Sequence, residues 1–238
     1  MGRLRNIIGT IPGTRRAWRL GRGLLFPHRR AIERLKNGGD GAFQPWPTTA
    51  PDRYPHVFDF LAERLSGKDA PAVLSYGCAS GEEVEALARR MPHARITGLD
   101  PNAHAIAQAR RRVDLPNVAF TVSDRPAPAE RYDAILAMAV FRDGRLNAAT
   151  GTLPDCGAIL PFARVEAGIG RLVAVLKPGG WLALANSHFD FEDMETAHGF
   201  EAALPIGENL GTGPLYGRDD RLKGKLSRRP ALLYRKLP

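Results

Sequence analysis

Short apolar runs alternate with amphipathic segments through the middle of the chain. Five runs have the length and nearly unbroken apolar character of buried strands: residues 72–76, 94–99, 118–122, 132–140 and 181–187. Three segments between them place apolar residues at helical spacing: residues 82–91, 103–112 and a stretch within 160–176. Strands that are apolar on both faces and alternate with helices predict a parallel sheet covered by helices on both sides.

The flanking regions are less regular. Residues 54–65 predict a helix beside the core, residues 194–204 another helix, and residues 231–236 a last strand. Residues 143–161 are rich in glycine and threonine and lack periodicity, which predicts a loop that covers a substrate, and residues 207–217 are also loop-like. We divide the chain into three parts: a basic arm at 1–36, a linker and helical lid at 37–70, and a ligand-binding domain at 71–238.

Small and acidic residues gather where the first three predicted strands end. Gly77, Ala79 and Gly81 follow the first strand, Asp100 ends the second, and Asp124 follows the third. Small residues let a ligand approach the backbone, and a carboxylate at Asp100 can accept both hydroxyls of a ribose. Asp124 can accept from the amine of an adenine. Each feature alone also suits a turn without a ligand, but their spacing over three strands favours a nucleoside site.

Two glutamates then bear on the nature of the nucleoside. Glu82 and Glu83 occupy the start of the first helix of the sheet, where a pyrophosphate would otherwise bind. The loop contains neither Lys nor Arg, and the chain has neither a third glycine there nor a Gly-Lys-Ser/Thr ending. The two carboxylates disfavour a dinucleotide and favour a phosphate-free, positively charged nucleoside such as S-adenosylmethionine. Capping of the helix dipole remains a compatible explanation for both glutamates.

Residues 72 to about 187 resemble a class I S-adenosylmethionine-dependent methyltransferase. Five stretches carry the resemblance: residues 75–83, 98–102, 122–124, 132–138 and 176–182. The first of them is similar to the cofactor loop of chemotaxis-receptor (CheR-type) glutamate methyltransferases. The resemblance implies a Rossmann-like, doubly wound, mostly parallel seven-stranded sheet with helices on both faces, and S-adenosyl-L-methionine as the cofactor. It places the following residues around that cofactor: Tyr76, Gly77, Cys78, Ala79, Gly81, Glu82, Asp100, Pro101, Asp124, Ala137 and Met138.

The chain also departs from this family. Many members carry an acid near the end of the first strand, where this chain has Ser75. The likeness to receptor methyltransferases ends at the loop, so glutamate methylation is not carried over. After the fifth strand, His188 is a candidate general base, with a hydrogen-bonded structural histidine as the alternative. Arg142, after the fourth strand, either pairs with an anionic substrate or is a surface arginine. We expect no metal site.

Charge separates the ends of the chain from its body. Residues 1–36 contain ten basic residues and one acidic residue, and residues 217–238 contain eight and two, whereas residues 37–216 have a net charge of −6. The chain is therefore not expected to bind nucleic acid through its core. The arm has three interpretations: a solvated segment, a contact with an anionic partner or a membrane surface, or an organelle transit peptide.

These patterns predict a methyltransferase for a small-molecule or glycan substrate. The alternatives are a protein or RNA methyltransferase that docks through the basic arm, and a non-catalytic cofactor-binding or scaffold module. Two cysteines and no long apolar run favour a cytoplasmic protein, with peripheral attachment to a membrane as an alternative.

Overall fold

The computed structural model describes most of the chain after residue 52. Its described residues are 31–32, 35, 42–46, 50, 52–146, 152–203, 213–225 and 233–238. Residues 1–30 of the predicted arm lie outside them, as do parts of the linker and of the predicted loops 143–161 and 207–217. Among the described residues, no helix is long and apolar enough to cross a bilayer.

The described residues include nine strands and four α-helices. The strands are β1 (Ala72–Tyr76), β2 (Arg95–Asp100), β3 (Val118–Val122), β4 (Tyr132–Met138), β5 (Leu176–Ala185), β6 (Phe200–Ala202), β7 (Pro214–Tyr216), β8 (Leu222–Lys225) and β9 (Leu233–Lys236). The helices are α1 (Pro55–Leu65), α2 (Glu82–Arg90), α3 (Ala103–Arg112) and α4 (Phe162–Val175).

Seven of the strands form one sheet in the order β3-β2-β1-β4-β5-β9-β6. The strands β1 to β5 are parallel, whereas β9 is antiparallel to both of its neighbours. The strands β7 and β8 form a separate hairpin. The predicted Rossmann-like, mostly parallel seven-stranded sheet is therefore confirmed.

Alternate side chains of the sheet enter two apolar cores. On one face, Leu74 and Ile135 pack in a cluster with residues of α4. On the other face, Val73 and Leu136 pack with residues of α1, α2 and α3. Strands present alternate residues to opposite faces, and both faces are covered here, so every position of β1 and β4 is buried. The helices therefore cover both faces, as predicted.

The ends of the helices fit the polarity of the backbone. The first turn of α2 contains three glutamates and its last turn two arginines, which matches the helix dipole. Asn102 precedes α3, and its side-chain oxygen accepts hydrogen bonds from the N–H groups of His104 and Ala105. These ends fix where the helices begin, and hence where the loops after β1 and β2 turn.

Two predicted elements differ from the structure. The predicted helix at 194–204 is wrong: a short 3₁₀-helix ends at Gly199, and β6 follows as an edge strand paired with β9. The tertiary pairing with β9 overrides the weak helical pattern there. The strand predicted at 181–187 begins earlier, at Leu176, and an irregularity in its pairing with β4 accommodates the intervening glycines.

A buried carboxylate holds the amino end of the sheet together. Asp133, at the start of β4, is 3% exposed and accepts from the Lys68 and Lys177 ammonium groups at 2.6 and 2.7 Å. It also accepts from the N–H of Ala72 at 2.9 Å. Burial by itself would raise the pKa of Asp133. The hydrogen bonds from these three donors outweigh that effect and lower the pKa to about 2. This carboxylate is thus fully satisfied by the protein.

Candidate functional site

The loop after β1 turns sharply and is tied to β2. The N–H groups of Gly77 and Cys78 both donate to the carbonyl oxygen of Leu99, at 2.7 and 3.1 Å. Gly77 has φ +76°, and a Cβ added there would lie 2.5 Å from Val140 Cγ2. Any other residue would therefore be strained and would collide with Val140, so the turn requires glycine.

Asp100 lies at the carboxyl end of β2, next to this loop. One carboxylate oxygen accepts from the N–H of Ala79 at 3.0 Å and the other from the N–H of Asn102 at 2.7 Å. The residue is 8% exposed. Burial raises the pKa of this carboxyl group, and the two N–H groups partly offset the rise. Asp100 is thereby held rigidly, and it contributes to the wall of a cavity.

Two adjoining cavities open at the carboxyl ends of the strands. The first encloses about 530 Å³, part of it open to solvent, and Tyr76, Asp100 and Asn102 contribute to its walls. The second encloses about 360 Å³. Three residues line both: Gly77, Ala79 and Met138. A cleft is therefore present where the parallel strands end, as their arrangement predicts, and it consists of two neighbouring cavities.

The first cavity offers buried polar atoms that the protein leaves unsatisfied. The side-chain amide nitrogen of Asn102 and the side-chain oxygen of Gln44 are both buried, and neither has a hydrogen-bond partner among the described residues. Buried polar groups normally have partners, so the walls suit a ligand that supplies both a donor and an acceptor. Trp46 also lines the cavity. Together with the Asp100 carboxylate, these groups fit a nucleoside.

The second cavity contains charged residues of both signs. Arg53, Tyr54 and Glu83 contribute to its walls. The hydroxyl of Ser75 donates to Glu83 Oε1 at 2.7 Å. Burial raises the pKa of Glu83 to about 7, although the Ser75 hydroxyl and the Arg53 charge oppose the rise. A carboxylate therefore reaches the end of β1 from helix α2, at the position where the strand itself carries a serine.

Strained backbone is concentrated at the same edge of the sheet. Ala79, Ala139 and Asn186 have positive φ angles of 48°, 61° and 55°, and they lie beyond the ends of β1, β4 and β5. Non-glycine residues rarely adopt this conformation, which costs about 1–3 kcal/mol each. Strain of this kind gathers at binding sites, where the surrounding structure holds it in place.

Most of the predicted cofactor residues line one of the two cavities. These are Tyr76, Gly77, Cys78, Ala79, Asp100, Pro101 and Met138. Cys78 is buried, and burial raises the pKa of its thiol well above the usual value, so it is a packing residue of the second cavity.

Four predicted residues lie outside the walls of both cavities: Gly81, Glu82, Asp124 and Ala137. Glu82 pairs with Arg112 at 2.8 Å, and Asp124 pairs with Arg125 through both carboxylate oxygens. Hydrogen bonds from Arg125 hold the pKa of Asp124 below its usual value. Each acid is thus neutralised by an arginine close in space, which the sequence pattern does not reveal.

The remaining two residues have packing roles. A Cβ at Gly81 would lie 2.9 Å from Ala109 Cβ, so Gly81 allows the loop to pack against α3. Ala137 is enclosed within β4, where it is 1% exposed. Both residues shape the cavity walls from behind.

His188 is a structural histidine in this geometry. It is 1% exposed, and its ring nitrogens lie 3.0 Å from the carbonyl oxygen of Pro214 and 3.2 Å from that of Asp143. It lines neither cavity. A general base needs a nitrogen that faces the acceptor, and both nitrogens here face backbone carbonyls. The histidine joins the end of β5 to the loop after β4 and to β7.

Several residues of the site were missed from the sequence. Glu83, Asn102 and Gln44 line the cavities, as do Arg53 and Tyr54. Helical spacing could have indicated Glu83, because Glu83 precedes the buried Leu87 by four residues and therefore lies on the same, inner side of α2. Gln44 offered none, since its position depends on a segment that folds over the sheet from far along the chain.

Comparisons with known proteins find likenesses to methyltransferases over the middle of the chain. A family profile described as "Methyltransferase domain" matches residues 73–180. Trans-aconitate 2-methyltransferase of Azoarcus sp. is 34% identical over 128 residues, which cover 53% of this chain and 42% of that protein. The biotin biosynthesis bifunctional protein BioCD of Bordetella avium is 31% identical over 160 residues, covering 63% and 31% respectively. The chain thus spans less than half the length of these curated relatives.

A solved structure of a plantazolicin methyltransferase in complex with SAH has a TM-score of 0.42 and 20% identity, over 66% of this chain and 51% of that one. The likeness of the loop to receptor methyltransferases stays a prediction from the sequence. Together, the sheet topology and the match over residues 73–180 support a class I S-adenosylmethionine-dependent methyltransferase, with S-adenosylmethionine as the implied cofactor.

Proposed function

We propose that the chain transfers a methyl group from S-adenosylmethionine to a small anionic acceptor, most simply a carboxylate. The observation that carries the choice of acceptor is the position of Arg142, a half-buried cation just beyond the end of β4. It lines neither cavity itself, but it lies two residues after Val140, which lines the first one. An acceptor that entered the first cavity past Val140 would therefore come close to Arg142.

The binding of the nucleoside rests on the first cavity. The Asp100 carboxylate would hold the ribose hydroxyls, and the buried amide groups of Asn102 and Gln44 would pair with the remaining polar atoms. When bound, S-adenosylmethionine supplies an electrophilic methyl group on a sulfonium. The contribution of the chain is then to align the acceptor with that methyl group and to exclude water.

The surroundings of Arg142 favour an anion. Burial lowers the pKa of Arg142, and the positive charge of Arg53 lowers it further, whereas Tyr54 opposes both. A cation that is partly desolvated next to a second cation gains from an anionic ligand between or beside them. The relative from Azoarcus sp. is named for trans-aconitate, a small tricarboxylate, which is consistent with this preference.

The placement of His188 outside both cavities suits the same class of acceptor. His188 has both ring nitrogens against carbonyl oxygens. A carboxylate is already ionised at neutral pH, so it attacks a methyl group without a general base. A neutral alcohol or an ammonium group would first have to lose a proton.

Methyl transfer to a panel of acceptors tests this proposal. We expect turnover with small di- and tricarboxylates, trans-aconitate among them, and little turnover with phenols or amines of similar size. Arg142→Gln should lower kcat/KM for the carboxylate by about 10- to 100-fold, the scale of losing a charge-assisted hydrogen bond. Arg111→Gln, an equal change of charge at an exposed position of α3, serves as the control. Transfer to neutral acceptors with equal efficiency would overturn the proposal.

The competing functions make different predictions. A protein or RNA methyltransferase that docks through the basic arm would act on macromolecules and would lose activity when the arm is removed. A non-catalytic scaffold module would bind S-adenosylhomocysteine without turning over any acceptor. Removal of residues 1–30 tests the first of these functions, because an enzyme that docks through the arm should then lose its activity. The deletion has to stop there because Ile32 is buried and Leu35 lines the first cavity.

A further inference from the structure

The second cavity contains one acidic and one basic side chain, and neither is assigned to the nucleoside. Glu83 and Arg53 both line it, and the negative and positive charges interact. The cavity shares three wall residues with the first one, Gly77, Ala79 and Met138. Because the two cavities are neighbours, a ligand whose nucleoside occupies the first would have its remaining part close to the second. For S-adenosylmethionine that part is an amino acid, which carries one ammonium and one carboxylate group.

The Glu83 carboxylate is positioned but not neutralised by the protein. Ser75 donates to Oε1 at 2.7 Å, and this is the one hydrogen bond of Glu83 among the described residues. No described salt bridge involves this carboxylate. Glu82, the neighbouring residue, is instead paired with Arg112 and bonded to Ser80. The two adjacent glutamates of α2 thus have different surroundings: one is satisfied by the protein and the other faces a cavity.

We propose that Glu83 receives the ammonium group of the cofactor's amino-acid portion, with Ser75 fixing the carboxylate and Arg53 facing the ligand's carboxylate. This assignment rests on the proposed function, since it presumes the same cofactor. A carboxylate enclosed in a cavity is costly to ionise, and a cationic partner recovers that cost. The raised pKa of Glu83 in the free protein is the expected sign of a carboxylate that lacks its partner.

Two ligands that differ in the amino-acid portion test the assignment. S-adenosylhomocysteine retains it, whereas 5′-methylthioadenosine has the same nucleoside and thioether without it. We expect Glu83→Gln to weaken S-adenosylhomocysteine by about tenfold or more and 5′-methylthioadenosine by less than about threefold, in calorimetric titrations at pH 7.5. Glu85→Gln removes an acid that pairs with Arg89 on the outer side of α2, and it should leave both affinities unchanged.

The pH dependence of the unmodified protein gives a second, variant-free measurement. Since the pKa of Glu83 is about 7, most of the free protein has a neutral Glu83 at pH 6. The affinity for S-adenosylhomocysteine should therefore rise roughly five- to tenfold from pH 6 to pH 7.5, while that for 5′-methylthioadenosine stays level. Of the other groups that line the second cavity, Tyr54 and Cys78 have pKa values that burial raises, so neither loses a proton between pH 6 and pH 7.5.

The outcomes separate this assignment from the proposed function. If both ligands bind, and Glu83→Gln weakens neither or weakens both equally, the assignment of Glu83 is overturned and the nucleoside site stands. If the affinity of the unmodified protein for S-adenosylhomocysteine does not change between pH 6 and pH 7.5, the assignment is likewise overturned. If neither ligand binds the unmodified protein, the proposed function itself fails.

Discussion

Two buried carboxylates at opposite ends of the same sheet differ in almost every respect. Asp133, at the amino end, accepts from two lysines and a backbone N–H, and its pKa is lowered to about 2. Glu83, near the carboxyl end, accepts from one serine, and burial raises its pKa to about 7. The first carboxylate stabilises the fold. The second lines a cavity and has a perturbed pKa, a combination that is typical of ligand-binding residues.

The contrast extends to the backbone around each residue. The carboxyl edge contains the positive-φ residues Ala79, Ala139 and Asn186, and the two cavities open there. At the amino edge one such residue, Ala70 with φ 45°, precedes β1. The difference teaches that the carboxylate at the amino end is neutralised by the protein, whereas the carboxyl end has more of the strained backbone and an acid that lines a cavity. Substitutions should therefore affect stability at one end and ligand binding at the other.

The largest effect is expected at Asp133. Asp133→Asn should lower the free energy of unfolding by about 3 kcal/mol, near the low end for one partner of a buried ion pair, because Lys68 and Lys177 can still reach water. Denaturant titration measures the change. Affinity for S-adenosylhomocysteine should stay within about twofold, since Asp133 lies far from the cavities. Lost binding in a variant that remains folded would contradict the division between the two ends.

The acid stability of the unmodified protein sharpens the same point. The pKa of Asp133 lies below its ordinary value of 3.8, so its contribution is complete above about pH 4 and is lost as the pH falls toward 2. The Asp133→Asn variant has no carboxylate to protonate, so its free energy of unfolding should not show this loss as the pH falls from about 4 toward 2.

A somewhat smaller effect is expected on ligand binding at Asp100. Asp100→Asn should weaken S-adenosylhomocysteine by about 2 kcal/mol, or roughly 30-fold, because it removes charged acceptors for the ribose hydroxyls. Asp124→Asn is the matched control, and it should cost less than about threefold because Arg125 already occupies that carboxylate. Isothermal titration calorimetry gives both values. Equal losses in the two variants would restore the sequence-based role of Asp124 at the adenine.

In the ligand-free protein, the pH dependence of stability expected from Glu83 is opposite in sign to that expected from Asp133. The pKa of Glu83 exceeds the ordinary value of 4.5, so the folded state binds the proton more tightly than the unfolded state, and stability falls as the pH rises from about 4.5 to about 7. Glu83→Gln should therefore stabilise the ligand-free protein at pH 8 by about 1 kcal/mol, or roughly 2–4 °C in Tm, and do little at pH 4. Thermal unfolding at the two pH values measures this, and a lower Tm at pH 8 would argue against an uncompensated carboxylate.

The smallest effect is expected from the basic N-terminal segment. Removal of residues 1–30 takes away eight arginines but leaves the buried Ile32 and the cavity residue Leu35. Activity on a small carboxylate should change by less than about twofold, since the deletion keeps every described residue of both cavity walls. Loss of activity would favour an acceptor that docks through the arm.

The sequence predicted the sheet well because its strands are apolar runs whose character does not depend on distant residues. It located Asp100 for a similar reason: a carboxylate directly after a parallel strand lies at the binding edge whatever surrounds it. Asp124 follows a strand in the same way, but the neighbouring Arg125 folds back onto it. A pairing between adjacent side chains is a matter of rotamers, which the sequence does not show.

The remaining features depend on contacts between distant parts of the chain. Asp133 reads as one polar residue in an apolar strand, and its partners lie 65 and 44 residues away in sequence. Glu82 and Glu83 are adjacent and identical, yet Arg112 neutralises the first and the second faces a cavity. The sequence makes His188 a candidate base, whereas in the structure its two ring nitrogens face the carbonyl oxygens of Pro214 and Asp143.

Parallel calorimetric titrations of the unmodified protein with S-adenosylhomocysteine and with NAD test the central claim most directly. The account predicts saturable binding of S-adenosylhomocysteine and no binding of NAD, because the Glu83 carboxylate at the start of α2 would repel a pyrophosphate there. Tight binding of NAD by a protein that ignores S-adenosylhomocysteine would contradict it.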